Sequence, residues 1–123
     1  MRTRDAEQHY RQRVARVVAF IVAHPMQAHA LEDLAALAHF SPFHFHRVYL
    51  SVTGETVAAT VRRVRLALAT HLLAQGQQSI TQVALTVGYE SPPSFSRAFG
   101  QFVGESPRDF QRRMQQTLLP TGA

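Results

Sequence analysis

The 123-residue chain contains no cysteine, no lysine and no asparagine. Without cysteine it can form no disulfide, thiol redox switch, cysteine nucleophile or thiolate zinc finger. No apolar run approaches the ~20 residues of a membrane-spanning helix. The first ten residues are polar and carry both signs of charge, unlike a signal peptide. A cytoplasmic location is expected. There is no glycine-rich phosphate loop, and the 8 acidic residues are scattered as helix-start or surface charges. No Ser/His/Asp constellation can be assembled by spacing, because most serines occupy capping positions. Neither catalysis nor a cofactor is expected. What the chain does have is a 46% hydrophobic content, enough to bury a core, and 13 basic residues, all arginine. The formal charge is +5 and the pI near 11.0. That excess points to a polyanionic partner, nucleic acid or an anionic membrane surface.

Glycine and proline cut the chain into short helical segments. Val14, Val17, Val18, Ile21 and Val22 follow the 3, 4 spacing of an amphipathic helix over residues 10–23, closed by Pro25. Leu31, Leu34, Ala35 and Ala38 line a short second helix with Glu32 and Asp33 in its first turn. Ser41-Pro42 reads as an N-cap followed by a first-turn proline, opening a helix that runs to Gly54. A longer helix is expected from Thr56 to about Gln75, stopped by Gly76. Ser79-Ile80-Thr81-Gln82 has the capping-box pattern and starts a short helix ending at Gly88. Ser91-Pro92 opens the next, to near Gly104, and Ser106-Pro107 opens the last. The expected fold is all-α, with seven helices.

The chain repeats itself. At an offset of 50, Ser41 aligns with Ser91, Pro42 with Pro92, Phe45 with Phe95, Arg47 with Arg97 and Tyr49 with Phe99. Gly54, Glu55 and Arg62-Arg63 align with Gly104, Glu105 and Arg112-Arg113. Before the serine the offset falls to 49, pairing Ala35 with Ala84 and Phe40 with Tyr89, as one residue inserted in a turn would produce. Each unit is a short helix, a tight turn and a second helix, the helix-turn-helix layout whose second helix can enter a DNA major groove. Ala35 and Ala84 fall where two crossing helices must approach closely. Phe45, Val48, Tyr49 and Val52, and in the second unit Phe95, Ala98, Phe99 and Phe102, form stripes expected in the core.

The opposite faces carry Phe43, His46, Arg47 and Leu50 in one unit, and Pro93, Ser96, Arg97 and Gly100 in the other. An arginine near a helix N-terminus can pair with guanine O6 and N7 or hold a phosphate. Two of them at equivalent repeat positions favour DNA contact over solvated surface charge. The ~30 Å length of a 20-residue helix is close to the ~34 Å between successive major-groove faces, so one chain can address two grooves without dimerising. Of the 7 histidines, His39, His44 and His46 are the candidates for a metal site, but His44 and His46 lie ~200° apart on a helix, where chelation needs i and i+4. No metal site is expected. A nonspecific architectural DNA binder is the alternative reading, and a histidine-based metal-binding protein a more distant one.

Ile80-x-x-Val83-Ala84-x-x-x-Gly88-Tyr89-x-Ser91-x-x-Ser94-Phe95-Ser96-Arg97-x-Phe99, followed by Gly104-x-Ser106-Pro107-x-x-Phe110, resembles the signature of the AraC/XylS family of bacterial transcription regulators. Arg62-Arg63-Val64-Arg65-Leu66-x-x-Ala69-x-x-Leu72-Leu73 is similar to the family's connecting helix, and the resemblance covers about residues 10–114. It implies two helix-turn-helix subdomains, residues 10–55 and 77–116, joined by a connecting helix over 56–76. An N-terminal extension, 1–9, and a tail, 117–123, complete the chain. It also implies a sequence-specific regulator, expected to be an activator, with recognition helices at about 42–53 and 92–103. Double-stranded DNA and RNA polymerase are the implied partners, and the chain is expected to bind DNA as a monomer. Base-reading positions of the family map onto Phe43, His46 and Arg47, and onto Pro92, Pro93, Ser96 and Arg97. The expected backbone contacts are Ser41, His44, Arg62, Arg63, Ser91, Ser94, Arg112 and Arg113. The phrase His39 to Arg47 is similar to members whose DNA-binding region precedes a GyrI-like effector domain. A stand-alone regulator of the MarA type, or the N-terminal part of a longer protein, is therefore expected, with no small-molecule effector site inside these residues.

Three departures from the family pattern bear on function. Pro92-Pro93 removes two backbone N–H donors from a helix N-terminus, which predicts fewer hydrogen bonds to bases from the second unit and more reliance on DNA shape. Val57 stands where relatives usually have proline. Gln111 replaces a common arginine, although Arg112 and Arg113 adjoin it.

Overall fold

The computed structural model describes residues 2–118, with side chains from residue 5 to 117. Among the described residues there are seven helices and no strand: α1 (Arg2–Ala23), α2 (Leu31–Leu37), α3 (Pro42–Thr53), α4 (Val57–Gln75), α5 (Ile80–Thr86), α6 (Pro92–Val103) and α7 (Pro107–Leu118). The expected all-α fold is what forms. The expected C-terminal tail falls largely at residues 119–123, outside the described residues.

The caps lie where the serines and threonines placed them. The Oγ atoms of Ser41 and Ser91 accept from the backbone N–H of His44 and Ser94, both at 3.3 Å. Ser79 and Gln82 complete a reciprocal capping box, at 3.1 and 3.0 Å. Thr56 caps α4 through the Ala59 N–H and Ser106 caps α7 through the Asp109 N–H. Gly54 and Gly104 end the two recognition-type helices in the left-handed region, at φ 79° and 93°.

The chain divides after Val64, within α4, into two compact units. In the first, Val14, Val17 and Ile21 of α1 pack on Leu34, Ala35 and Ala38, on Phe45, Val48 and Tyr49 of α3, and on Val57. In the second, Leu66, Ala69 and Leu73 of α4 pack on Val83, Ala84 and Val87, on Phe95 and Phe99 of α6, and on Phe110 of α7. The repeat thus extends beyond the helix-turn-helix pairs, because Val14, Val17 and Ile21 have the spacing of Leu66, Ala69 and Leu73 at an offset of 52. Ala35 and Ala84 are both fully buried, as close helix crossings require. Truncating a buried phenylalanine such as Phe45 or Phe95 to alanine would cost about 3–5 kcal/mol.

Two expectations are corrected. Helix α1 begins at Arg2 rather than near Tyr10, so the stretch expected as an N-terminal extension is helical from its second residue. Its first turns carry Asp5, which suits the helix dipole, but no apolar stripe that periodicity could detect. Phe102 is 42% exposed and not part of the core. In the last turn of α6 it is Val103 that packs against the second cluster.

Candidate nucleic-acid interface

Helices α3 and α6 each have twelve residues, a proline in the first turn, a serine N-cap and no acidic residue in the first turn. Their positive dipole ends are therefore not neutralised, which favours an approaching phosphate. With Phe45, Val48 and Tyr49 buried, α3 turns Phe43, His46, Arg47 and Leu50 outward. Phe43 is 75% exposed, an apolar side chain left in water beside a cation. The Arg47 guanidinium lies 5.9 Å from its ring centroid, at the edge of cation–π range. On α6, Pro92, Pro93 and Arg97 are exposed, while Ser96 is half-buried. Within each unit the residues expected to read bases are brought together on one helix face.

The residues expected to serve the backbone divide into two groups. Arg62 and Arg112 are exposed. Arg63 and Arg113 are not simple surface cations: each is paired with a glutamate, Glu55 at 2.8 Å and Glu105 at 2.7 Å. Ser41 carries the α3 cap; Ser91 and Ser94 bond to each other, Oγ to Oγ at 3.0 Å and Ser94 Oγ to the Ser91 carbonyl at 3.0 Å. His44 is exposed, with its ring packed edge-on against Phe40 and Tyr10, centroids 5.0 and 5.9 Å away. Among the described residues no three His, Asp or Glu side chains gather into a metal-holding group. No described helix is long and apolar enough to cross a membrane.

Beneath the Glu55–Arg63 pair lies a polar chain that sequence spacing did not disclose. The Tyr49 hydroxyl donates to Thr60 Oγ1 at 2.6 Å, and Thr60 donates to the Glu55 carboxylate. Tyr49 and Thr60 are fully buried. Burial raises the Tyr49 pKa, opposed by its bond to Thr60. The bonds from Arg63, then from Thr60, hold the Glu55 carboxyl below its ordinary value. In the second unit the matching positions are Phe99 and Phe110, whose rings meet edge to face at 5.5 Å. Tyrosine aligned with phenylalanine was the one available hint.

Helix α1 adds to the first unit's surface. Glu7, Tyr10 and Arg11 of α1 and His44, Arg47, Val48, Ser51 and Val52 of α3 line a groove of about 480 Å³. Arg13, one turn from Tyr10, reaches the turn between α2 and α3 and donates to the carbonyls of Ala38, at 2.6 Å, and His39. Nothing in the local pattern could foretell a contact 25 residues away.

Known proteins share this arrangement. Residues 34–113 match the Helix-turn-helix domain family of AraC type. The chain belongs to that family. It is 36% identical over 86 residues to the MmsAB operon regulatory protein of Pseudomonas aeruginosa, covering 70% of this chain and 28% of that protein. It is 30% identical over 104 residues to the RCS-specific HTH-type transcriptional activator RclR of Escherichia coli, covering 85% of this chain and 37% of the relative. It thus spans roughly a quarter to two fifths of the length of these relatives. Among solved structures it resembles the DNA-binding domain of AdpA, described as a global transcriptional factor, in complex with a target DNA. The TM-score is 0.74 at 29% identity, covering 89% of this chain and 97% of that one.

Proposed function

We propose that this chain is the sequence-reading part of a transcription regulator, with α3 and α6 entering successive major grooves of one duplex. One observation carries the reading: two capped, acid-free helix N-termini present an exposed arginine at the same repeat position, Arg47 and Arg97. In this reading Arg47 and His46 address base edges and Phe43 packs on a thymine methyl. Ser96 and Arg97 serve the second half-site, with Pro92 and Pro93 giving apolar contact. Ser41, His44, Ser91, Ser94 and the arginines Arg62, Arg63, Arg112 and Arg113 flank the phosphates, with Arg62 and Arg112 the more available of each pair. In this reading the chain binds as a monomer in the cytoplasm and activates promoters through RNA polymerase; the relative RclR is named a transcriptional activator.

Selection of duplexes from a random pool, scored at two salt concentrations, tests this. The expected outcome is two half-sites about 10 base pairs apart, preferred over random DNA by ~10³ or more. Similar affinity for every duplex would instead make the chain an architectural binder. Arg47→Ala should relax base preference in one half-site; equal weakening on selected and random DNA would reassign it to a phosphate.

A further inference from the structure

The turn that launches α3 is built under a constraint that the turn before α6 lacks. Both turns share the same backbone bonds: Phe40 N–H to the Ala35 carbonyl and Tyr89 N–H to the Ala84 carbonyl, each at 2.9 Å. Both pass through the left-handed region at the aligned position. In the second unit that residue is Gly88, at φ 93°; in the first it is His39, at φ 61°. A left-handed backbone suits glycine and strains a residue with a Cβ. The first turn is also shorter, residues 38–41 between α2 and α3 against 87–91 between α5 and α6.

Arg13 is placed to hold that strained turn. Its Nε donates to the Ala38 carbonyl at 2.6 Å and its Nη2 to the His39 carbonyl. Its guanidinium carbon lies 3.7 Å from the centroid of the Phe40 ring and 5.8 Å from that of Tyr10. One planar group therefore binds three consecutive residues of the turn, Ala38, His39 and Phe40. It also places a positive charge at the carbonyl end of α2, where the helix dipole favours it. A lysine could supply the charge but not the fork of donors or the flat stacking face. Arg65 holds the same register in the second unit, one residue ahead of buried Leu66 as Arg13 is one residue ahead of buried Val14.

We propose that Arg13 is a positioning residue for DNA reading. By clamping the left-handed turn at His39 it fixes the direction in which α3 leaves α2, and so where Arg47 and His46 meet the bases. The inference rests on the DNA-reading function proposed above.

The experiment uses the whole chain, the duplex it selects from a random pool, and a random duplex. Arg13→Ala should weaken binding to the selected duplex about tenfold, the loss of roughly one base contact, with random-duplex binding and salt slope nearly unchanged. The lost preference should be confined to one half-site. Arg13→Lys should lose preference similarly while keeping the charge. His39→Gly should restore most of the preference in the Arg13→Ala background, because glycine accepts the turn without the clamp. Parallel weakening on both duplexes with a salt slope smaller by about 0.9 would make Arg13 a phosphate contact and overturn the proposal. Unchanged preference in a variant shown folded by circular dichroism would overturn it as well. If no duplex is enriched, the DNA-reading function itself fails. Thermal unfolding of the two single variants and the double variant then still tests the clamp, which additive losses would refute.

Discussion

Arg113 donates twice to a single carboxylate oxygen of Glu105, from Nε at 2.9 Å and from Nη2 at 2.7 Å, across the turn between α6 and α7. Fifty residues earlier Arg63 pairs with Glu55 across the turn between α3 and α4, its Nη2 donating to the carboxylate at 2.8 Å. The repeat therefore duplicates an ion pair as well as a fold. In each Arg-Arg pair one cation is tied to the end of the recognition-type helix and the other, Arg62 or Arg112, stands exposed.

That division of labour has a measurable consequence for salt dependence. Arg112→Ala should flatten the plot of log binding constant against log salt by about 0.9, one phosphate's worth of released counterions. Arg113→Ala should flatten it by less, since part of that charge is already neutralised by Glu105. Titrations on the selected duplex at four salt concentrations separate the two. Equal slopes for both variants would show that pairing with Glu105 does not reduce the contribution of Arg113.

The same pairing makes the first unit acid-sensitive through Glu55. Its carboxyl is held below the ordinary value of 4.5, first by the bond from Arg63 and then by that from Thr60. A group with a depressed folded pKa stabilises the fold above its unfolded pKa, and that contribution disappears as pH falls through the folded value. Unmodified chain should therefore exceed Glu55→Gln in urea midpoint at pH 7, with the gap closing as pH falls below the ordinary carboxylate range. A gap of constant size across that range would show that the carboxylate's charge does not contribute.

Much of this fold is legible in the chain because its signals are local. Ser41, Ser79, Ser91 and Ser106 each announce a helix that starts at the next residue, and the offset of 50 turns each half into a check on the other. The longer reach of α1 escapes, because residues 2–9 contain no apolar stripe in sequence and periodicity is silent there. Phe102 misleads because a stripe predicts burial only as far as another element covers it. On the candidate interface, outward-facing Phe43, His46 and Arg47 could be read from helical spacing. The contacts that tie down Arg13 and Arg63 could not, since they cross turns and depend on how helices pack.

Thr60 gives a further test, because it links the buried Tyr49 hydroxyl to Glu55. Thr60→Val keeps the shape but leaves the Tyr49 hydroxyl buried without its acceptor, which should cost about 1–3 kcal/mol. Adding Tyr49→Phe removes the stranded group and should recover part of that loss, moving the unit toward the Phe99–Phe110 solution of its twin. Urea unfolding of the two single variants and the double variant would show the coupling. Strict additivity would mean that the hydroxyl finds another partner.

The two half-sites should not be read with equal sharpness. At the second helical position α3 has Phe43, which keeps its backbone N–H, whereas α6 has Pro93, which has none; the first position is proline in both. The third N–H of each helix is taken by its serine cap. Helix α3 therefore retains a main-chain donor for a phosphate at its N-terminus, and that anchor would fix how Arg47 and His46 approach the bases. Helix α6 must rely on Arg97 and on Ser96, which is half-buried. In sequences selected from a random pool, base preference should be concentrated in one half-site. The other should show a weaker preference that follows groove width more than base identity. Arg47→Ala should erase the sharper half-site, and Arg97→Ala should leave it intact. Equal information in both half-sites, or loss of the sharper one in Arg97→Ala, would show that two prolines at a helix N-terminus do not weaken its reading.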